Sequence, residues 1–182
     1  MAGRLVALLR GINVGRAKCV AMADLRALVE GLGYKDVRTL LNSGNVVFTA
    51  PRGAPRDAAA RIEKALATGL GVSSRVTVVT AAEVATAVAE CPLLEVADDP
   101  SRLLVAFLRD PADRPKVEPL LKQDWAPEAL AVGARVAYLW CPAGLLDGRL
   151  AEAVGRALGD AVTTRNWATV RTLQALTEGQ PS

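Results

Sequence analysis

Histidine is absent from the 182 residues of this chain. Its absence excludes general acid–base catalysis by imidazole, Ser-His and Cys-His dyads, and metal sites with histidine ligands. The sequence also lacks paired carboxylates and any metal-ligand spacing of cysteines or acidic residues. We therefore expect no metal site and no cofactor.

Long apolar runs are missing as well. The longest, Leu103–Leu108 and Val136–Cys141, are far shorter than the roughly 20 residues of a transmembrane helix. The N-terminal run Leu5–Leu9 is too short for the core of a signal peptide, and Arg10 interrupts it. We expect a cytoplasmic protein without a membrane partner.

Cysteine is scarce, with three widely separated residues and no C-x-x-C pair. An odd number of distant cysteines favours reduced thiols over a disulfide framework. We predict that Cys91 and Cys141 are small buried hydrophobic residues. Cys19 follows Lys18 in a basic segment, where cations favour the thiolate, although no general base is in view.

Basic residues are concentrated at the start of the chain. The net charge is only +3, but residues 1–50 contain seven basic and three acidic side chains. The rest of the chain is close to neutral. We expect an anionic partner to be steered towards the N-terminal half.

Two repeats of one element order account for the apolar pattern. Strands, helices and turns alternate as β-α-β-β-α-β in each half, which predicts an α+β protein of two ferredoxin-like subdomains, each followed by an extra helix. The predicted divisions are residues 1–91, a proline-flanked acidic linker at 92–101, and residues 102–182. Within the second half we predict one helix over Lys116–Gln123. The strand Leu5–Leu9 is apolar on both faces, so we expect both faces of its sheet to be covered.

Two Gly/Asn-containing loops are predicted to meet at one sheet edge. In this topology the first strand neighbours the third, so the loop after strand one lies beside the hairpin between strands two and three. Their backbone N–H groups, polar side chains and cations suit a phosphate or carboxylate. The candidate ligand-binding residues are Arg10, Gly11, Asn13, Gly15, Arg16, Lys18, Asn42, Ser43, Gly44 and Asn45. The alternative is that the glycines and asparagines serve only the turns, since neither a P-loop nor G-x-G-x-x-G is present.

A second polar cluster lies near the C-terminus, at Thr164, Arg165, Asn166 and Trp167. Asn166 or Thr164 is a predicted helix N-cap, and Trp167, Val170 and Leu173 have the spacing of a buried helical stripe. The cluster is therefore a secondary candidate site. Arg165 would act in binding only if the C-terminal tail folds back to the N-terminal loops.

The motifs together resemble a known family. Val6-Ala7-Leu8-Leu9-Arg10-Gly11-Ile12-Asn13-Val14-Gly15, Ser43-Gly44-Asn45-Val46-Val47-Phe48 and Thr164-Arg165-Asn166-Trp167 are similar to the DUF1697 family, a domain of unknown function. The resemblance implies a small bacterial-type cytosolic protein of two ferredoxin-like subdomains, with no stated activity. The chain departs from the family pattern at Arg16, where a second glycine is common, and at Leu41-Asn42, where Ile-Gln is usual.

Three functions follow from these observations. The first is a non-enzymatic module that binds a small anion or a nucleotide at the two loops. The second is binding to a nucleic-acid backbone; base stacking on the sheet is disfavoured because the two central strands offer a single aromatic, Phe48. The third is an enzyme of unknown reaction that uses Lys18, Cys19, Asp24 or Ser43 as its reactive group, or a bound cofactor that supplies the chemistry.

Overall fold

The computed structural model describes residues 3–14, 16, 18–51, 55–144 and 148–179, with the backbone alone at 55 and 56. The chain divides into two compact units, residues 1–82 with 175–182, and residues 83–174. The described residues form two four-stranded antiparallel sheets and six α-helices. The prediction of an α+β protein is confirmed.

The first unit is built around the strand that opens the chain. Its elements are β1 (Gly3–Leu9), α1 (Met22–Gly31), β2 (Lys35–Leu40), β3 (Asn45–Ala50), α2 (Pro55–Leu70) and β4 (Val76–Thr80). The strand order is β2-β3-β1-β4. β1 therefore lies between β3 and β4 and is antiparallel to both.

Alternate residues of the first sheet form the core with the two helices. Leu5, Ala7 and Phe48 pack in one apolar cluster with Leu25 of α1 and Ile62 of α2. The residues between them are buried too: Val6 and Leu8 are 0% exposed. The prediction that β1 is covered on both faces is confirmed.

The second unit contains α3 (Ala81–Ala89) from Glu83 onward, β5 (Leu103–Leu108), α4 (Arg114–Val117), β6 (Ala129–Val132), β7 (Val136–Trp140), α5 (Arg149–Leu158), β8 (Val162–Asn166) and most of α6 (Trp167–Thr177). Its strand order, β6-β7-β5-β8, repeats the first sheet's arrangement. Val154 and Leu158 of α5 pack in an apolar cluster with alternate residues of β5 and β7. On α3, the Ala87 carbonyl accepts a 2.7 Å hydrogen bond from the Tyr138 hydroxyl.

The single helix predicted over Lys116–Gln123 is wrong. Residues 111–122 instead form a 3-10 turn at Pro111–Asp113, the one-turn α4, and a second 3-10 turn at Glu118–Lys122. Pro119 explains the break, because proline lacks an N–H and its ring clashes with the carbonyl four residues earlier. The sequence predicts a short strand at Ala161–Thr163, whereas β8 ends three residues later, at Asn166, because its polar residues Thr164–Asn166 pair with β5.

Candidate functional site

The loop between β1 and α1 is organised by the side chain of Asn13. Its Oδ1 accepts a hydrogen bond from the Val20 N–H, and its Nδ2 donates to the Val20 carbonyl, both at 2.8 Å. The Asn13 N–H donates to the Lys18 carbonyl at 3.0 Å. Asn13 and Lys18 both have left-handed backbone conformations, with φ of 54° and 51°. One amide side chain thus folds the loop back on itself.

The hairpin between β2 and β3 is held by the buried side chain of Asn45. Its Nδ2 donates to the Leu40 carbonyl at 2.8 Å and to the Ser43 Oγ at 2.9 Å. The left-handed positions of the turn are Leu41 (φ 58°) and Gly44 (φ 87°). Gly44 behaves as the sequence predicts, whereas Leu41, and not an asparagine, takes the other left-handed position.

The two loops lie in direct contact. The Asn13 Nδ2 donates to the Asn42 carbonyl at 2.7 Å, and the Leu9 N–H donates to the Gly44 carbonyl at 2.9 Å. Gly44 also packs closely on the first loop, since a Cβ there would lie 2.8 Å from both Ile12 Cδ1 and Leu9 Cβ. The adjacency predicted from the topology is therefore present.

The predicted site residues differ in how accessible they are. Gly11, Arg16, Lys18, Asn42 and Ser43 are exposed. Arg10 and Asn13 are half-buried, Gly44 and Asn45 are buried, and Gly15 lies outside the described residues. The amides of Asn13 and Asn45 are engaged in holding the loops. A ligand would therefore meet mainly the five exposed residues named first.

The base of the first loop is tied to the segment that leads into β4. The Arg10 N–H donates to the Arg75 carbonyl at 2.9 Å, and the Arg10 carbonyl accepts from the Ser74 Oγ at 2.8 Å. Arg75 lies 3.9 Å from Glu63 across a partly exposed ion pair. These contacts hold the start of the first loop against the segment that leads into β4.

Helix α1 begins just beyond the first loop without a side-chain cap. Its N-cap is Ala21, which provides no capping hydrogen bond. An uncapped N-terminus leaves backbone N–H groups and the positive end of the helix dipole available to an anion. Asp24, in the first turn, opposes this by placing a negative charge near the same end.

The second polar cluster forms the junction between β8 and α6. The Asn166 Oδ1 accepts a 2.9 Å hydrogen bond from the Thr169 N–H, as expected of an N-cap residue. Trp167, Val170 and Leu173 are all buried. The predicted cap at Asn166 and the predicted stripe are confirmed, so these side chains have clear structural roles.

Arg165 is the chemically unusual member of that cluster. It lies on β8 opposite Val105, and its Nη1 donates to the Thr164 carbonyl at 2.9 Å. Burial lowers the pKa of its guanidinium to about 10. Arg165 therefore remains a cation at neutral pH. It belongs to the second unit.

Aromatic side chains are not displayed on the central strands of the first sheet. Phe48 is 0% exposed and packs on Tyr34, with ring centroids 4.7 Å apart. No other residue of β1 or β3 is aromatic. A base-stacking sheet surface of the kind found in RNA-recognition domains is therefore missing from these two strands.

The remaining nucleophilic groups divide by exposure. Cys91 and Cys141 are buried, as predicted, and Cys19 is exposed with its Sγ 3.4 Å from the Arg16 carbonyl.

Among the described residues, no three Cys, Asp or Glu side chains are grouped to hold a metal ion. None of the described helices is long and apolar enough to cross a membrane.

Comparison with other proteins identifies relatives but no activity. No curated protein matches the chain. Its structure is similar to that of the conserved bacterial protein SP0830 from Streptococcus pneumoniae, with a TM-score of 0.74 and 20% identity over 97% of this chain and 99% of that one. At this identity the likeness establishes a shared fold. The model of DUF1697, described as a protein of unknown function, matches residues 2–138. The chain therefore belongs to the DUF1697 family.

Proposed function

We propose that this protein is a non-enzymatic, cytoplasmic module that binds a small anion or a nucleotide at the two N-terminal loops. The observation that supports this proposal most directly is the 2.7 Å hydrogen bond from the Asn13 side chain to the Asn42 carbonyl. This bond makes one surface from two loops that are about thirty residues apart in sequence. The exposed cations Arg16 and Lys18 stand on that surface.

The charge distribution supports an anionic ligand. Residues 1–50 carry seven basic and three acidic side chains, so the field around the first unit attracts anions. The uncapped N-terminus of α1 adds backbone donors nearby. Asp24 limits the local potential, and its removal is expected to strengthen binding.

The proposed roles follow from exposure. Arg16 and Lys18 would supply charge, while the Asn42 side chain and the Ser43 hydroxyl would supply hydrogen bonds. Asn13 and Asn45 would hold the loops in place, with Gly44 allowing their close approach. Arg10, Gly11 and Gly15 complete the proposed set, and Thr164, Arg165, Asn166 and Trp167 stay a secondary prediction.

The fold supports a binding role without requiring one. From the strand order β2-β3-β1-β4 and its repeat β6-β7-β5-β8, we infer two ferredoxin-like subdomains. This topology hosts many functions, so function must be argued from the loops. The division of the chain into residues 1–91, a linker at 92–101 and residues 102–182 also stays a prediction.

A thermal-shift experiment with pyrophosphate tests the proposal. A ligand that binds only the folded state raises the melting temperature. At a ligand concentration one hundred times Kd, the folded state is stabilised by about 2.7 kcal/mol. We expect the wild type to be stabilised and an Arg16→Gln/Lys18→Gln variant not to be. The matched control is Arg26→Gln/Lys64→Gln, which removes two exposed cations from the helices of the same unit.

The control separates a specific site from general charge. If both double variants lose the same part of the shift, the effect is a property of net charge and the loop site is wrong. Absence of stabilisation in the wild type by both pyrophosphate and ATP contradicts the proposal altogether.

A further inference from the structure

Two exposed aliphatic residues are sequence neighbours of the residues that join the two loops. Val14 is 69% exposed and Leu41 is 60% exposed, the two highest values among the large hydrophobic residues of the described chain. Val14 directly follows Asn13, and Leu41 directly precedes Asn42. Each is therefore one residue from the Asn13–Asn42 hydrogen bond, and the exposed cations Arg16 and Lys18 belong to the same loop as Val14.

The position of Leu41 is costly to the folded state. Its φ of 58° is left-handed, a conformation that a branched aliphatic residue rarely adopts and that asparagine or glycine adopts more easily. The turn itself therefore gives no reason for leucine here. Backbone strain of this kind is concentrated at binding and active sites.

The small size of the apolar surface indicates the kind of partner that it fits. Two aliphatic side chains are far too little for a stable protein–protein interface, which buries about 800 Å² on each partner. Apolar groups next to a few charged ones are instead typical of sites for small organic ligands. A bare inorganic anion would use the cations and leave Val14 and Leu41 in water.

We infer that the ligand of this site is a nucleotide, whose phosphates contact Arg16 and Lys18 and whose base packs on Val14 and Leu41. The inference rests on the proposed anion site and narrows its ligand class. It gives Leu41 a role in ligand specificity, which accounts for a leucine at a turn position that asparagine or glycine would adopt more easily. It also explains why aliphatic and basic side chains share these two loops.

Isothermal titration calorimetry with ADP and pyrophosphate tests the inference, since the two share a diphosphate and differ in the nucleoside. We expect ADP to bind at least about tenfold more tightly than pyrophosphate. Val14→Ser and Leu41→Asn should each weaken ADP several-fold and leave pyrophosphate unchanged. Val96→Ser, which removes an aliphatic side chain that is 55% exposed in the second unit, should change neither.

Leu41→Asn also separates binding from folding. Asparagine tolerates the left-handed conformation, so this variant should melt at or above the wild-type temperature while it binds ADP more weakly. Equal affinities for ADP and pyrophosphate, or unchanged ADP affinity in both variants, would overturn the inference and leave the anion site standing. Failure of the wild type to bind either compound would remove the anion site and the inference together.

Discussion

At the scale of single residues, Asn13 makes the contacts that hold the first loop and join it to the hairpin. Its side chain makes three hydrogen bonds, two with Val20 and one with the Asn42 carbonyl. We predict that Asn13→Gly, which keeps the backbone freedom, lowers the free energy of unfolding by about 1–3 kcal/mol. Asn13→Ala should cost about 1 kcal/mol more, because its φ of 54° disfavours a Cβ.

Urea denaturation of these variants gives the test, with Asn42→Ala as the control. Asn42 contributes its backbone carbonyl to the contact, so truncation of its exposed side chain should change stability by less than about 0.5 kcal/mol. If Asn13→Gly is as stable as Asn42→Ala, the Asn13 side chain does not hold the loops.

Gly44 is the closest backbone approach between the loops. We predict that Gly44→Ala destabilises the protein by about 2–4 kcal/mol, because the new methyl would lie 2.8 Å from Ile12 and Leu9 at a φ of +87°. Gly31→Ala, at the end of α1 with no atom within 4 Å of the new Cβ, should be neutral or stabilising by up to about 1 kcal/mol. Similar melting temperatures for the two variants would contradict this packing.

Residue roles at the site were only partly predictable from the sequence. The turn at Gly44 is predictable, because glycine tolerates positive φ. Asn13 and Asn45 were expected to face a ligand, but sequence cannot say whether an amide bonds a ligand or its own backbone, and here both bond the backbone. Leu41 stands out in the sequence only as a departure from the family pattern, and its left-handed conformation is not predictable, since no propensity rule places an exposed leucine in a left-handed turn.

At the scale of elements, helix α5 is capped from a distant residue. Its N-cap is Gly148, which has no side chain, and the Glu128 Oε1 accepts hydrogen bonds from the N–H groups of Arg149 at 3.0 Å and Leu150 at 3.3 Å. We predict that Glu128→Ala lowers stability by about 1–2 kcal/mol in urea denaturation. Glu152→Ala, which removes an exposed ion pair with Arg156, should cost less than about 0.5 kcal/mol. Equal losses would show that Glu128 is not a cap.

The Cys141 thiol, directly after β7, makes the stability of the fold sensitive to alkaline pH. Burial, and secondarily the Glu128 carboxylate, raises the pKa of Cys141 from 9.0 to about 12. Between these values the unfolded chain releases the thiol proton and the folded chain keeps it, so stability falls as pH rises. Each such group contributes about 1.4 kcal/mol per pH unit in that window.

We therefore predict that Cys141→Ala loses less stability than the wild type between pH 9 and pH 10.5, measured by urea denaturation at each pH. The comparison is between slopes, so a constant cost of the substitution does not matter. Parallel pH profiles for the two proteins would contradict the buried, protonated state of Cys141.

The elements themselves were largely predictable where burial is complete. β1, β5 and β7 are apolar on both faces, which is a strong strand signal, and each lies where the pattern predicts. The helix predicted after β5 does not form as one element, because Pro119 interrupts the helical hydrogen bonds that its apolar residues would otherwise allow. The end of β8 is not predictable from the pattern, because Thr164, Arg165 and Asn166 carry no apolar alternation.

At the scale of the whole molecule, the two units repeat one set of backbone contacts. In the first, the N–H of Leu9 donates to Gly44 and that of Arg10 to Arg75. In the second, the N–H of Leu108 donates to Arg135 and that of Arg109 to Ala161, all four at 2.9 Å. The correspondence aligns Leu9-Arg10 with Leu108-Arg109, and the sequences that lead into them match as well, since residues 5–10 (LVALLR) and 104–109 (LVAFLR) differ at one position.

The repeat explains why the loop site is proposed in the first unit alone. At the position equivalent to Gly44, the second unit has Arg135. Its guanidinium donates to the carbonyls of Leu108 and Arg109, each at 3.0 Å, and pairs with Glu83 at 2.7 Å. Where Gly44 packs against Ile12 and Leu9 in the first unit, the second unit has a long side chain that bonds to its own strand end. The same element order therefore carries a packed arginine in the second unit and, in our proposal, a binding site in the first.

The most direct test of that proposal is a two-dimensional NMR titration of the ¹⁵N-labelled protein with pyrophosphate. We predict that the amide signals of residues 11–20 and 42–45 shift together and fit a single dissociation constant, because the two loops form one site. The equivalent hairpin at 133–135 should not shift. Shifts confined to one loop, shifts of equal size in both units, or no shifts at all would contradict the account.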